Sequence, residues 1–218
     1  ANITGQSFGG LMASGLLNVV GEHMNGLQIA GIANITASKL NGVQIALCNY
    51  ATQARGLQIG LVNYYKEDMK GFQLGLVNAN PDTRVQMMVY GGNATPANIG
   101  VRFKNQLFYT ILGIGSMYQG LNDKFSASAS YRAGLSFTLY KGLSISGDLG
   151  YQHIEAFDNK DEVIPKRLYA LQARANLEYQ FTRKFGIFAT GGYGLTRFYN
   201  KSSNYDKGAI IEAGIVLF

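Results

Sequence analysis

The chain has 218 residues, with 28 glycines, 14 tyrosines, 12 phenylalanines, three prolines and a formal net charge of +6. Its mean hydropathy is near zero, and no segment approaches the roughly 18 uncharged apolar residues that a transmembrane helix requires. A β-barrel is therefore the remaining way in which this chain could cross a bilayer. The single cysteine, Cys48, excludes an internal disulfide.

A repeated motif organises residues 1–93. Its clearest copies are Gly26-Leu27-Gln28-Ile29, Gly42-Val43-Gln44-Ile45, Gly56-Leu57-Gln58-Ile59 and Gly71-Phe72-Gln73-Leu74. Each copy leads through a short apolar run to an asparagine, at Asn34, Asn49, Asn63 and Asn78, with a period of 14 to 16 residues. Because asparagine and glycine are favoured in turns, each unit is predicted to be one strand of about nine residues followed by a turn.

Two architectures could produce this period. In a parallel solenoid, each unit would stack on the previous one and bury its apolar face in a shared core. In an up-and-down barrel, each unit would be one wall strand whose apolar face meets lipid. A solenoid is expected to end in a polar cap, whereas this repeat runs directly into longer strands after Asn98. We therefore favour one continuous barrel over a solenoid joined to a smaller barrel.

Residues 98–218 contain long segments with two different faces. Between residues 168 and 181 the odd positions are apolar or aromatic, and the even positions from 172 to 180 are polar or charged. Segments 125–140 and 143–152 alternate in the same way, which predicts strands much longer than the usual five or six residues. From Tyr169 to Tyr179 a strand tilted by about 40° would rise about 25 Å, the height of the lipid-facing band of an outer-membrane barrel.

Connection lengths predict an orientation and a strand number. Tight turns are expected at 104–106, 141–142 and 183–184, and longer polar loops at 120–124, 155–167 and 200–207. Outer-membrane barrels have short periplasmic turns, longer external loops and usually an even number of strands. The predicted fold is therefore all-β, a transmembrane antiparallel up-and-down β-barrel of about 14 strands, with 12 as the alternative. It is predicted as one domain, with repeat-built short strands over 1–97 and longer strands over 98–218.

The G-x-Q-I-G-L-x-N units, over roughly residues 10–93, resemble the bacterial surface-repeat family of outer-membrane proteins. The carboxyl half resembles a generic outer-membrane barrel that ends in phenylalanine. In the usual terminal pattern the last phenylalanine shares a strand face with apolar residues. Phe218 departs from this pattern, because it is expected on the same face as Glu212 and on the opposite face from Ile211, Ile215 and Leu217. The resemblance implies integral location in the bacterial outer membrane and no defined biochemical activity. If the protein is exported, its signal peptide is expected to have been removed before Ala1.

The polar faces of the carboxyl-half strands predict which residues line the lumen: Arg102, Arg132, Asp148, Arg174, Glu178 and Glu212. Unpaired buried charges are costly, so two interpretations remain open. The lumen is either a water-filled passage or a plugged interior in which Arg132, Asp148, Arg174 and Glu178 form a cross-strand network. The repeat half offers a mostly uncharged inward face, which favours a small or occluded pore.

The apolar faces predict a lipid-facing aromatic girdle composed of Tyr131, Tyr151, Tyr169, Tyr179 and Phe181. Outer-membrane lipid and lipopolysaccharide are the predicted partners, with other envelope proteins left open. Five basic residues are predicted in the long loops: Lys160, Lys166, Arg167, Lys201 and Lys207. Lipopolysaccharide phosphates are a natural counter-charge for them. An equal alternative is that these side chains are simply solvated. These basic residues are not gathered on one face, so no nucleic acid partner is predicted.

No catalytic residue, metal site or cofactor is predicted. Of the two histidines, His23 is expected in a solvated periplasmic turn and His153 near the external end of its strand, beside Glu155 and without a catalytic motif. The sequence therefore predicts a non-enzymatic integral outer-membrane β-barrel, acting as a structural element or accessory subunit of an envelope complex. The alternatives are a narrow, porin-like diffusion channel and a soluble β-solenoid repeat protein that binds partners.

Overall fold

The computed structural model describes residues 1–116, 118, 121, 125–157, 167–200 and 203–218. Its strands are β1 (Asn2–Thr4), β2 (Phe8–Ser14), β3 (Leu17–Val20), β4 (His23–Ala30), β5 (Ala33–Ile45), β6 (Cys48–Ile59), β7 (Val62–Leu74), β8 (Val77–Ala79), β9 (Arg84–Gly92), β10 (Ala97–Asn105), β11 (Phe108–Ser116), β12 (Ser126–Tyr140), β13 (Leu143–Ala156), β14 (Arg167–Gln180), β15 (Phe185–Phe198) and β16 (Asn204–Leu217). Among the described residues, no helix is long and apolar enough to cross a membrane.

The chain forms two compact units, Ala1–Thr83 and Arg84–Phe218. In the first unit, β1, β3, β5, β6, β7 and β8 pair in that order, and β2 and β4 pair beside them. Every one of these pairings is parallel. The repeats are thus the coils of a solenoid, and the expectation of about 14 or 12 antiparallel strands in one barrel is wrong.

Two ladders of buried amide side chains explain why the repeats stack. Asn34 Nδ2 donates to Asn49 Oδ1 at 3.1 Å, and the same bond repeats along the stack from Asn2 to Asn78. Gln44 Nε2 donates to Gln28 Oε1 at 2.8 Å, and this bond also repeats as far as Gln73. Parallel pairing in register brings identical residues to neighbouring strands about 4.8 Å apart, where carboxamides hydrogen-bond to one another.

A glycine at the start of each repeated motif permits the coils to approach. Gly42 has a φ of 144°, a region that L-residues with a side chain rarely adopt. A Cβ at this position would lie 1.9 Å from the Gly26 carbonyl oxygen. Side chains are therefore excluded at this position by both the backbone conformation and the neighbouring coil.

The Gly42→Ala substitution is expected to lower the free energy of unfolding of residues 1–83 by roughly 2–3 kcal/mol, because it combines backbone strain with a steric clash. Hydrogen exchange of the β5 and β6 amides in increasing urea would measure the change. Gly9→Ala is the matched control, since the nearest atom to its Cβ, Asn25 O, would be 4.0 Å away. Equal stability of the two variants would contradict the close stacking of the coils.

The second unit is a closed eight-stranded barrel with the strand order β10-β11-β12-β13-β14-β15-β16-β9. All of its pairings are antiparallel, and β16 closes the barrel on β9. The barrel begins at Arg84 and not after residue 97, because β9 pairs with β10 and β16 and with none of the repeats. The expected single domain over 1–218 is therefore replaced by two units.

Connections of two to four residues at one end of the barrel alternate with connections of four to ten residues at the other end. The segments 106–107, 141–142 and 181–184 join strands at one end, the end at which β9 begins. Segments 93–96, 117–125, 157–166 and 199–203 join them at the other end. Residues 120, 122–124, 158–166 and 201–202 of the predicted long loops lie outside the described residues.

The outer and inner faces of β14 differ in polarity. Leu171 and Leu177 are 48% and 51% exposed, and Ala173 and Ala175 between them are exposed as well. The alternate residues Gln172, Arg174, Asn176 and Glu178 are buried. Because the barrel is closed, the buried face points inward and the aliphatic face forms the outer surface.

Candidate functional site: the barrel interior

The structure places all six of the predicted lumen residues on the buried face of the barrel wall. They come from β10, β12, β13, β14 and β16, and each is between 1% and 8% exposed: Arg102, Arg132, Asp148, Arg174, Glu178 and Glu212. Three are cations and three are anions, and their side chains meet in pairs. The interior is therefore close to neutral in net charge at these positions.

Arg132 and Asp148 form the most extensively hydrogen-bonded of these pairs. Arg132 Nε and Nη2 donate to the two carboxylate oxygens of Asp148, each at 2.8 Å. Asp148 Oδ2 also accepts from Tyr109 Oη at 2.8 Å and from Asn176 Nδ2 at 2.9 Å. A bidentate guanidinium and two further donors satisfy the carboxylate without water.

Arg102 and Glu178 connect strands that are not neighbours in the wall. Arg102 Nη1 and Nη2 donate to the Glu178 carboxylate at 2.6 and 3.0 Å. Gln86 Oε1 accepts from Arg102 Nε and Nη2 at 3.0 and 2.7 Å. Because Arg102 lies on β10 and Glu178 on β14, this ion pair runs across the interior of the barrel.

Arg174 pairs with Glu212 and not with Asp148, although Asp148 is its direct cross-strand neighbour. Arg174 Nε and Nη2 donate to the Glu212 carboxylate at 3.1 and 3.2 Å. Arg132 Nη1 lies 3.7 Å from Glu212 Oε2. The predicted network of Arg132, Asp148, Arg174 and Glu178 therefore has different pairings. Arg174 pairs with Glu212, because the Asp148 carboxylate already accepts hydrogen bonds from Arg132, Tyr109 and Asn176.

Apolar and aromatic side chains fill the remaining interior. The buried cluster consists of Met88, Tyr90, Tyr109, Ile111, Phe188 and Val216. Tyr90 and Tyr109 also lie beneath the guanidinium groups of Arg132 and Arg102, with distances of 5.8 and 6.0 Å from Cζ to the ring centroids. The cavity between the network and this cluster has a volume of about 10 Å³, which holds at most about one water molecule.

Sequence analysis missed Gln86, Tyr109 and Asn176 as partners of the charged residues. Gln86 lies on β9, within residues 1–97, for which repeat-built strands are predicted. Tyr109 carries no motif that distinguishes it from the other tyrosines. Asn176 shares the polar face of β14 with Arg174 and Glu178. The even position of Asn176 could have predicted its place beside the charged residues, because alternate residues of a strand share one face. No sequence pattern places Tyr109 beside Asp148.

Removal of the Arg132 guanidinium should destabilise the barrel strongly. Arg132→Ala leaves the Asp148 carboxylate buried without its cation, and breaking such a pair costs about 3–5 kcal/mol. Urea unfolding in detergent micelles, followed by tyrosine fluorescence, would measure the loss. Arg183→Ala is the matched control, because Arg183 is exposed in the connection 181–184. If both variants unfolded at the same urea concentration, the network would not stabilise the barrel.

At the end with the longer connections, the interior widens into a cavity of about 450 Å³. Polar residues line much of this vestibule: Asn93, Tyr118, Gln172, Thr196, Asp206 and Lys207. Of the basic residues assigned to lipopolysaccharide, Arg167 and Lys207 are exposed, and Arg167 Nε donates to Glu155 at 2.9 Å. Lys160, Lys166 and Lys201 lie outside the described residues.

The predicted girdle residues lie toward the two ends of the outer surface. Tyr151 and Tyr169 stack with 6.2 Å between ring centroids, and Tyr131 pairs with Tyr151 across the strands. Tyr179 and Phe181 meet near the opposite end at 4.9 Å. Sequence analysis missed Tyr199, which hydrogen-bonds Tyr151.

The two histidines lie in different units of the chain. His23 is exposed at the start of β4, in the solenoid and not in a barrel turn. His153 Nδ1 lies 2.7 Å from Tyr199 Oη, and its Nε2 lies 3.4 Å from Glu155. The described part of the chain holds no cluster of three or more His, Cys, Asp or Glu side chains that could bind a metal ion.

No protein-family model and no curated protein matches the sequence. Among solved structures, the chain is similar to the N-terminal β-barrel domain of Pseudomonas aeruginosa OprF, with 16% identity, a TM-score of 0.43 and coverage of 61% of this chain and 93% of that chain. It is also similar to Neisserial surface protein A, with 9% identity, a TM-score of 0.38 and coverage of 61% and 92%. The third is Ail of Yersinia pestis, with 17% identity, a TM-score of 0.33 and coverage of 61% and 92%.

Proposed function

We propose that residues 84–218 form an integral outer-membrane β-barrel with an occluded interior, and that the protein is a non-enzymatic structural element of the envelope. The observation that carries this proposal is the reversed polarity of the barrel. Leu149, Ile114 and Ile211 are 72%, 63% and 67% exposed on the outside, while the arginines and carboxylates are paired inside. Water-soluble proteins rarely leave such a continuous apolar surface uncovered, whereas a bilayer requires one.

The dimensions of the strands also support a membrane-spanning barrel. β9, β10 and β11 have nine residues each, which is the length that a tilted strand needs to cross the hydrocarbon region. On β14, Tyr179 lies ten positions after Tyr169. The aromatic clusters around these two residues lie at the two levels where interfacial girdles occur. Closure of the barrel leaves no strand edge exposed to lipid along the paired region.

The orientation of the barrel follows from its connections. Short turns face the periplasm in outer-membrane barrels, so we assign the end with the segments 106–107, 141–142 and 181–184 to that side. The vestibule and the exposed Arg167 and Lys207 then face outward, where lipopolysaccharide phosphates are the proposed counter-charge. We also propose that the protein belongs to the surface-repeat family, and the repeated G-x-Q-I motif supports this assignment.

A lysine on the outer face should disrupt membrane insertion. Ala175 lies on the exposed face of β14, midway between Tyr169 and Tyr179, and a cation at the bilayer midplane costs about 2–4 kcal/mol. Ala175→Lys should therefore weaken the heat-modifiable band of the folded barrel on a gel. Ser203→Lys adds the same charge at an exposed position between strands and should leave the band intact. Full solubility of the wild-type protein without detergent would refute the proposed location.

An occluded interior predicts the absence of conductance. Protein reconstituted in planar bilayers should show no discrete current steps, because the ion-pair network and the aromatic cluster leave a cavity of about 10 Å³. Retention of the heat-modifiable band in the same preparation is the control for folding. Discrete steps of reproducible size would instead support the narrow diffusion channel.

A further inference from the structure

The solenoid has an edge with the same reversed polarity as the barrel. This aliphatic edge is formed by the turn residues Leu16, Ile32, Leu47, Leu61 and Leu76, which are 37% to 59% exposed, with Ile29, Ile45, Val62 and Leu74 beside them. We propose that the aliphatic edge inserts into the hydrocarbon of a lipid bilayer. The choice of lipid rests in part on the proposed function, since the same chain continues into a membrane barrel.

Behind the aliphatic edge the solenoid interior is polar. The Asn and Gln ladders lie there, and their members are 0% to 8% exposed from Asn18 to Asn78. In water-soluble domains aliphatic side chains are most often buried, whereas asparagine and glutamine are mostly exposed. The reversal therefore matches a non-aqueous environment outside the edge.

Inter-coil hydrogen bonds engage the backbone of this edge. Cys48 N donates to Ile32 O at 2.8 Å, and Leu61 N donates to Leu47 O at 2.8 Å. The asparagine ladder supplies further donors, with Asn34 Nδ2 bonded to Ile45 O at 3.0 Å and Asn49 Nδ2 bonded to Ile59 O at 2.8 Å. Lipid contact requires that backbone polar groups be satisfied within the protein, and this edge is built in that way.

The opposite edge of the solenoid is charged on its outer surface and apolar in its interior. All charged residues of the stretch 1–81, together with His23, occur on it: Glu22, His23, Lys39, Arg55, Lys66, Glu67, Asp68 and Lys70. Behind this charged edge the interior is apolar, with Val20, Met24, Leu40, Ala51 and Ala54 in one cluster. The solenoid is thus amphipathic across its width, with one edge suited to lipid and the other to water.

The chemistry of the aliphatic edge favours lipid over a protein partner. Its turn positions repeat leucine or isoleucine from coil to coil, over roughly 19 Å at about 4.8 Å per coil. Protein interfaces combine an apolar centre with aromatic anchors and a polar rim. Residues 29–33, 45–49 and 59–63 contain neither an aromatic nor a charged residue, so the edge offers little that could select one protein surface from another.

The single native cysteine provides a direct test. Cys48 is exposed and lies on the aliphatic edge, in register with Ala33 and Val62. A bimane label on Cys48 of the full-length protein in liposomes should be quenched by doxyl-labelled acyl chains. The matched control carries Cys48→Ala and Gln53→Cys, because Gln53 is exposed beside Arg55 on the charged edge. Quenching should be at least about threefold stronger at Cys48, since only a label among the acyl chains meets the quencher.

A third labelled variant separates this inference from the proposed function. Cys48→Ala with Ala173→Cys places the label on the outer face of β14. Quenching at both Ala173→Cys and Cys48 supports a lipid-facing edge on a membrane-anchored protein. Quenching at Ala173→Cys without quenching at Cys48 overturns the inference and leaves the barrel in the membrane. Absence of quenching at Ala173→Cys overturns the proposed function itself. A blue-shifted but unquenched label at Cys48 would mean that protein covers the edge, which also overturns the inference.

Discussion

Internal pairing of polar side chains is the constraint on which both units depend. In the solenoid, carboxamides bond to identical carboxamides of the next coil. In the barrel, guanidinium groups bond to carboxylates on other strands. A buried polar group without a partner is costly, so polar interiors of this kind are stable only when nearly every donor and acceptor is engaged. Once that is achieved, the outer faces are free to be apolar.

The two units satisfy this constraint by different geometries. Parallel, in-register coils place identical residues side by side, so one residue type that both donates and accepts can form a continuous ladder. Antiparallel strands bring different residues together, so complementary charges are required. Asparagine and glutamine therefore occupy the interior of the repeats, whereas arginine, aspartate and glutamate occupy that of the barrel.

The same constraint limits what the barrel can do. The ion pairs Arg102–Glu178 and Arg174–Glu212 join strands that are not adjacent in the wall. Arg102–Glu178 connects opposite sides of the barrel, and both pairs occupy its interior. Each of the six charged residues Arg102, Arg132, Asp148, Arg174, Glu178 and Glu212 has a partner of opposite charge within the interior.

The amino-acid sequence by itself determined the repeat period and, in the barrel, the long strands and their two faces. The predicted strand of about nine residues per repeat is wrong, because a turn at residues 60–61 divides it and β7 continues from Val62 to Leu74. The alternation of Leu171, Ala173, Ala175 and Leu177 with Gln172, Arg174, Asn176 and Glu178 depends only on the pleat of one strand. Tertiary structure decided which strands became neighbours. A solenoid coil and a barrel strand share the same alternation, so the pattern around Gln58 and Asn63 fits both architectures. Likewise Glu178 pairs with Arg102 and Arg174 with Glu212 because barrel closure sets distances between residues far apart in the chain, which no local pattern encodes.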